Sequence, residues 1–376
     1  MNILEFKEKL RNKIGKLLSR SEREKAIRDH HAKRKPRPCG MTIHTGIGCN
    51  LRCTYCYIED MGFKWSIEPY PLNGLQLVYA LLSNPYFVPG ETGTLIAIGS
   101  VTEPFHGITK KKTFEYIECI SKYLKNPIQF STKMYLNKEE ARILKNIEPK
   151  ISPLITIVSI KYYRKLEPFA PSPEKRFETI KNLREAGLKP ILFLRPIIPG
   201  IIENEYYEIL EKAREYGALG IVAGSLRVTP LILDRLRKAE IPVDEIVRRL
   251  HKPLKPNIQV SVDTSDIKKE ILRTAEKLGL IPFPEACMAN IYTHGYICWK
   301  MISKGIIRKG EGLLPRLETS EIIREAEELG LRITYLRKED YKLKIAITGP
   351  AKLKYFFIEY IKCKYKICIQ EVRTYK

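Results

Sequence analysis

Three cysteines set the chemistry open to this chain. Cys49, Cys53 and Cys56 fall within eight residues, in the run Cys49-Asn50-Leu51-Arg52-Cys53-Thr54-Tyr55-Cys56-Tyr57. A short loop with that spacing can wrap around a metal core and turn all three sulfurs to one face. Thiolates are soft ligands that suit zinc and iron–sulfur clusters. A structural zinc site wants four protein ligands. The one nearby candidate, His44, lies five residues before Cys49 on an expected strand. On a four-iron cluster, three protein ligands leave one iron open to a substrate or cofactor.

Six further cysteines are Cys39, Cys119, Cys287, Cys298, Cys363 and Cys368. Cys287 and Cys298 bracket His294, and Cys363 and Cys368 stand close together near the end of the chain. An auxiliary cluster or zinc site near Cys287 and Cys298 is one reading. Small buried apolar residues are the other. Cys287 or Cys298 could also donate hydrogen at the active site if its segment folds over the mouth of the fold.

The elements that must position these residues follow from periodicity. From about residue 40 to 263, short apolar runs at 41–45, 94–99, 128–132, 154–160, 190–195 and 219–223 alternate with amphipathic stretches at 72–83, 110–124, 137–147, 173–186 and 204–216. Such alternation predicts parallel strands joined by right-handed helical crossovers. Six units make an α/β fold, a partial (β/α)6 barrel, with its chemistry at the carboxyl ends of the strands. The three-cysteine loop directly follows the first expected strand.

Around this core, residues 1–37 predict a basic helical extension. Ile3, Phe6, Leu10, Ile14 and Leu17 recur at helical spacing, and Ser21 with Glu24 fits a capping box for a second helix. Residues 264–316 read as a helix from Ser265 followed by an irregular segment covering the barrel. Residues 317–376 read as a small basic α+β module in the order helix, strand, strand, helix, strand.

The loop CNLRCTYCY resembles the cluster loop of the radical S-adenosylmethionine (SAM) superfamily. IGSVTEP, FSTK, VSI, PFAPSPEKRFETIKNLREAGLKPILFLRPIIPG and LRV follow in the order of its spore photoproduct lyase-like branch, over about residues 40 to 230. The resemblance implies a [4Fe–4S] cluster on Cys49, Cys53 and Cys56. An electron from a donor such as ferredoxin or flavodoxin would pass through it to SAM, giving methionine and a 5′-deoxyadenosyl radical. It further implies SAM contacts: Tyr55 on the adenine; Gly99, Ser100 and Glu103 at the methionine amino group; Lys133 on the carboxylate; Ser159 on a ribose hydroxyl; and Arg195 near the adenine or carboxylate. Photoproduct lyases proper carry an extra cysteine at the end of the second strand. Here that stretch reads Ile98-Gly99-Ser100-Val101-Thr102, so the resemblance bears on fold and SAM site more than on the reaction outcome.

Charge suggests the partner. Lys+Arg 66 against Asp+Glu 43 gives a net charge of +23. Residues 1–37 hold 13 Lys/Arg and 5 Asp/Glu, and residues 341–376 hold 9 and 2. This excess favours a polyanion, and nucleic acid, as modified RNA or damaged DNA, is the first expectation. The alternatives are a radical SAM enzyme acting on a small metabolite or lipid, and a nucleic-acid-binding protein with a structural or redox-sensing cluster. Four glutamines beside abundant Lys, Glu and Ile resemble a thermophile's composition. No apolar run is long enough to span a bilayer. With charges at the start where a signal peptide needs an apolar stretch, the expectation is a cytoplasmic protein. Nine cysteines in such a chain are not a disulfide framework.

Overall fold

A computed structural model describes residues 2–37, 39–307 and 310–372. Pro38, which closes the basic run after the N-terminal helices, and residues 373–376 of the basic tail lie outside the described residues. The central sheet has seven strands: β1 (Met41–Ile43), β2 (Ile96–Ile98), β3 (Ile128–Thr132), β4 (Ser152–Thr156), β5 (Ile191–Ile197), β6 (Gly220–Ser225) and β7 (Ile281–Phe283). They pair in chain order and every pair is parallel. The sheet stays open, with β1 and β7 at its edges. Its inner strands are apolar on both faces because helices cover one face and the fold's interior the other. Ile43, Ile98, Phe130, Ile155 and Leu192 are buried in one continuous core.

Six of these strands stand where the apolar runs predict them. The seventh corrects the six-strand expectation. Pro282 at its centre argues against a strand, but an edge position leaves the missing N–H without cost.

The helices of eight residues or more, with the shorter α11, are α1 (Ile3–Gly15), α2 (Arg20–Arg28), α3 (Gly74–Ser83), α4 (Lys110–Cys119), α5 (Lys138–Ile147), α6 (Pro173–Glu185), α7 (Tyr206–Glu215), α8 (Pro230–Lys238), α9 (Ser265–Lys277), α10 (Ala286–Thr293), α11 (Trp299–Ser303), α12 (Thr319–Glu328) and α13 (Ala351–Tyr365). The capping box of α2 is Ser19 with Glu22, not Ser21 with Glu24. Both pairs satisfy the local pattern. The earlier start is the one that buries Leu18 and Ala26 in the main core.

The segment expected to be irregular forms α10 and α11, and it closes the opposite end of the sheet from the cysteine loop. His294 accepts from the backbone N–H of Ile128, at the start of β3 (3.3 Å). Asn290 donates to the carbonyl of Ile96, at the start of β2 (3.4 Å). Cys287 and Cys298 are therefore remote from the mouth, and hydrogen donation by either one there is excluded by position.

The C-terminal module adds β8 (Arg332–Glu339), β9 (Lys342–Thr348) and β10 (Cys368–Glu371) to α12 and α13. β9 pairs antiparallel with β8 and parallel with β10. Its core of Ile322, Leu343, Ile345, Phe357, Ile361 and Tyr365 takes in Leu4 of α1 and Trp299 of α11. Lys7 lies over Phe356 (4.9 Å) and Lys35 over Tyr355 (5.0 Å), so the two basic ends of the chain meet. Several tail lysines are engaged internally rather than free. Lys362 pairs with Glu359, Lys364 with Glu321 and Glu325, and Lys366 donates to the carbonyl of Thr92. No described helix is long and apolar enough to cross a membrane.

Candidate active site

The cysteine loop leaves β1 through a short pairing of Gly46–Ile47 with Glu68–Pro69. Gly48 then takes φ +72°, where a Cβ would collide with the carbonyls of Ser66 and Lys64. Only glycine meets both conditions, a left-handed backbone and no room for a side chain. Three distant segments hold the loop that follows. The Cys49 N–H donates to Lys64 (3.4 Å), the Thr54 N–H donates to the Leu166 carbonyl (2.9 Å), and the Cys56 carbonyl accepts from Arg235 of α8. Cys53 and Tyr55 are buried against Val158, Leu166, Ile198 and Leu226.

All three thiols are free. Burial pushes each of their pKa values up; repulsion from Glu103 and Cys56 adds to the rise at Cys49, and from Glu167 and the other two thiols at Cys53, while Lys133 favours ionisation of all three. A metal core reverses that balance, because a coordinated thiol loses its proton. The donor set fits an iron–sulfur cluster with one open iron. It consists of three soft sulfurs, a nearby ammonium and no fourth ligand from His44. That imidazole is occupied elsewhere, its Nε2 3.4 Å from Arg34 and its Nδ1 3.5 Å from Ser100 Oγ. Asn50 Oδ1, inside the loop, is buried without a hydrogen-bond partner.

Around the loop stand the carboxyl ends of the next strands. Gly99, after β2, has φ +102°, and a Cβ there would strike the Ser131 carbonyl of β3. The Ser100 carbonyl accepts from the Tyr57 hydroxyl (2.8 Å). Glu103 is buried and accepts from Thr132 Oγ1, the Lys133 N–H (3.0 Å) and the Phe105 N–H (3.2 Å). Burial raises its pKa, and those donors work against the rise. Lys133, after β3, lies 3.9 Å from Glu167 and 5.7 Å from the Tyr55 ring centre. Burial alone would depress this ammonium, but Cys53, Glu167 and Glu103 outweigh it and hold its pKa above the usual value.

Two expected contacts are placed differently. Ser159 is fully buried, donates to Glu205 (2.8 Å) and accepts from the Tyr162 N–H (2.8 Å). It closes a turn after β4 and does not face open space for a ribose. Tyr55 turns its hydroxyl to Glu167 rather than standing free at the mouth. Arg195 on β5 is exposed and lies over Gly224 of β6.

The residues that sequence reasoning missed are those fastening the site. Glu167 and Arg176 form an ion pair with both side chains at 0% exposure, and Arg176 also donates to the Thr156 carbonyl (3.1 Å). Glu167 thus links Tyr55, Lys133 and α6. On sequence Arg176 sits in the amphipathic stretch 173–186, where charges read as solvated, and Glu167 falls outside every expected element. A second cluster, His30, His31 and His44, has ring nitrogens within 4.8 Å of one another at the edge of the mouth. His31 donates to Asp29 (2.7 Å) and accepts from the His44 N–H (3.3 Å), so both its nitrogens are taken.

Residues 43–213 match the family model of the Radical SAM superfamily. This chain carries a radical SAM domain. Over 173 residues it is 32% identical to an uncharacterized protein of Methanocaldococcus jannaschii, covering 44% of this chain and 62% of that protein. Over 175 residues it is 22% identical to an uncharacterized protein of Acidianus two-tailed virus, covering 43% and 56%. The chain thus spans less than two thirds of these relatives. Among solved structures, a cysteine-to-serine mutant of spore photoproduct lyase superposes with TM-score 0.52 at 21% identity, over 65% of this chain and 75% of that one. Spore photoproduct lyase with bound AdoMet and dinucleoside spore photoproduct gives TM-score 0.51 at 20% identity, over 63% and 72%. The radical SAM domain therefore has the fold of spore photoproduct lyase.

Proposed function

We propose that this chain reductively cleaves SAM at a [4Fe–4S] cluster held by Cys49, Cys53 and Cys56, and directs the resulting radical to a nucleic acid. One observation carries the first half: three free thiols, Cys53 buried and Cys49 and Cys56 half-buried, stand on a fixed loop beside Lys133 at the carboxyl ends of parallel strands, with no fourth protein ligand. When bound, the cluster supplies the electron that splits the sulfonium into methionine and a 5′-deoxyadenosyl radical. The chain's own residues bind and orient. Gly99 keeps β2 close to β3, leaving space for a small polar group beside the Ser100 backbone. Glu103, with acceptor capacity beyond its three donors, suits an ammonium. Lys133 suits a carboxylate. Arg195 is the exposed cation at the rim. Leu51, Val158 and Ile198 keep water from the sulfurs.

Two observations support a nucleic acid. Exposed cations Lys9, Lys13, Lys16, Arg20, Lys25 and Arg28 run along α1 and α2. α1 starts beside the C-terminal module, and α2 ends at His30 on the edge of the mouth. A polyanion lying on this stripe reaches the site. A spore photoproduct lyase mutant, of like fold, binds dinucleoside spore photoproduct. A reduced ferredoxin or flavodoxin, itself acidic, would dock on the basic surface and supply the electron.

The anaerobically reconstituted protein is expected to form 5′-deoxyadenosine from SAM under a reductant, and Cys53→Ala is expected to abolish it. A loaded cluster that never cleaves SAM would return the protein to the binding-protein class. Transfer RNA and duplex DNA should bind at low salt. If neither binds, the substrate is a small molecule.

A further inference from the structure

Five of the six cysteines outside the loop meet at one place. Cys39, Cys287, Cys298, Cys363 and Cys368 line a single cavity, and all five are free thiols. They come from separate elements: the approach to β1, α10, the start of α11, the last turn of α13 and the start of β10. The sixth, Cys119, shows what an ordinary packing cysteine looks like here, wedged against Gly74 between α4 and α3.

We propose that these thiols hold a second metal centre, a thiolate-bound iron–sulfur cluster, at the amino-terminal end of the central sheet. The cavity belongs to the seam between the core and the C-terminal module. Cys39 and Cys287 come from the core, and Cys363 and Cys368 from the module. Leu95, Met288, Ile291 and Ile367 form its apolar walls and exclude water, Lys300, Lys362 and Lys366 face it, and the Glu285 carboxylate, paired with Lys300, also lines it. A cluster with four thiolate ligands carries net negative charge, which a nearby ammonium offsets; Lys366 is buried and has no carboxylate partner among the described residues, whereas Lys300 and Lys362 are paired with Glu285 and Glu359. Lys366 is fixed for this by its bond to the Thr92 carbonyl (2.9 Å).

The spread of the sulfurs favours a cluster over one ion. Zinc, with bonds of about 2.3 Å, gathers its sulfurs to within about 4 Å of each other. Among the described residues, the group of three donors that lies within 4.8 Å throughout is the histidine trio, not a set of cysteines. Cys49, Cys53 and Cys56 are spread in the same way. The second centre lies across the sheet from the loop and does not depend on the SAM reading. Its chemical role is to bind the module to the core through metal–sulfur bonds.

The test removes the loop ligands from the full chain. The Cys49→Ala/Cys53→Ala/Cys56→Ala variant, reconstituted anaerobically with iron and sulfide, is expected to keep about half of the wild-type iron and sulfide. Adding Cys298→Ser, Cys363→Ser and Cys368→Ser is expected to remove the rest. A folded triple variant with no iron overturns the proposal. So does zinc in place of iron, or a metal-free Cys39–Cys287 disulfide. The wild type gives an independent measurement, since two reduced-cluster paramagnetic signals are expected, with SAM perturbing one and leaving the other. A single signal perturbed by SAM overturns the second centre alone. Two signals that both ignore SAM would overturn the SAM reading and leave the second centre standing.

Discussion

At the residue scale, the buried pair Glu167–Arg176 holds the site together. A buried pair is no guarantee of net stability, because desolvation offsets much of the attraction. Breaking it is different, since one charge is then left buried alone. Arg176→Met is expected to cost about 3–5 kcal/mol in denaturant unfolding. Adding Glu167→Gln should recover part of that, because the orphaned charge is removed. A second residue-scale effect lies in His294. Burial lowers its pKa from 6.5 to about 4, against the raising influence of its bond to Asn290. Its Nε2 accepts from Ile128 N–H and must stay unprotonated to do so. Above pH 6.5 both folded and unfolded states hold the neutral ring. As pH falls from 6.5 toward about 4, only the unfolded chain gains the proton, so stability drops by about 1.4 kcal/mol per pH unit. The His294→Gln variant should lack this part of the slope when unfolding midpoints are compared across that window. Arg176 does not announce itself in the sequence, where it lies in an amphipathic stretch with no visible partner, and His294 stands out there only by its place between Cys287 and Cys298.

At the scale of elements, the strands were legible because burial on both faces demands short apolar runs, and six of them carry such runs. β7 was not, because Pro282 disguises an edge strand. The start of α2 was ambiguous for a local reason. Ser19 with Glu22 and Ser21 with Glu24 both fit the capping-box pattern, and packing of Leu18 and Ala26 decides for the first. The loop between β1 and α3 was legible as chemistry but not as geometry. Gly48 is its pivot: Gly48→Ala forces a side chain into the left-handed region, at about 1 kcal/mol, and onto two carbonyls. Iron bound by the loop is expected to fall markedly in this variant while the fold, followed by circular dichroism, persists. Full iron loading would show that the loop tolerates the shift.

At the scale of the whole molecule, charge and docking matter most. The N-terminal helices and the C-terminal module are far apart in sequence and adjacent in space, so their basic residues form one stripe. The tail contributes less than its composition suggests, since Lys362, Lys364 and Lys366 are bound within the protein. On the proposed nucleic-acid reading, the exposed cations of α1 and α2 are the candidates for contact. Lys9→Glu/Lys13→Glu/Lys16→Glu, all exposed, should leave stability unchanged and weaken nucleic-acid binding. Each lost phosphate contact should also reduce the salt dependence of binding by about one ion. Equal binding by this variant would place the nucleic acid elsewhere. Truncating the tail should affect binding less than reversing the α1 charges, because the tail's lysines are the more engaged set.

The sequence by itself determined the parallel sheet, the three-cysteine loop after its first strand and the order of the C-terminal module. Each of these depends on residues close together along the chain, where spacing fixes geometry. Only the tertiary structure decided that α10 and α11 close the end opposite the mouth. It likewise turned Ser159 toward Glu205 and brought Cys39 to Cys368 around one cavity. Those outcomes depend on which surfaces bury one another across the whole chain, and no local pattern of residue types records that choice.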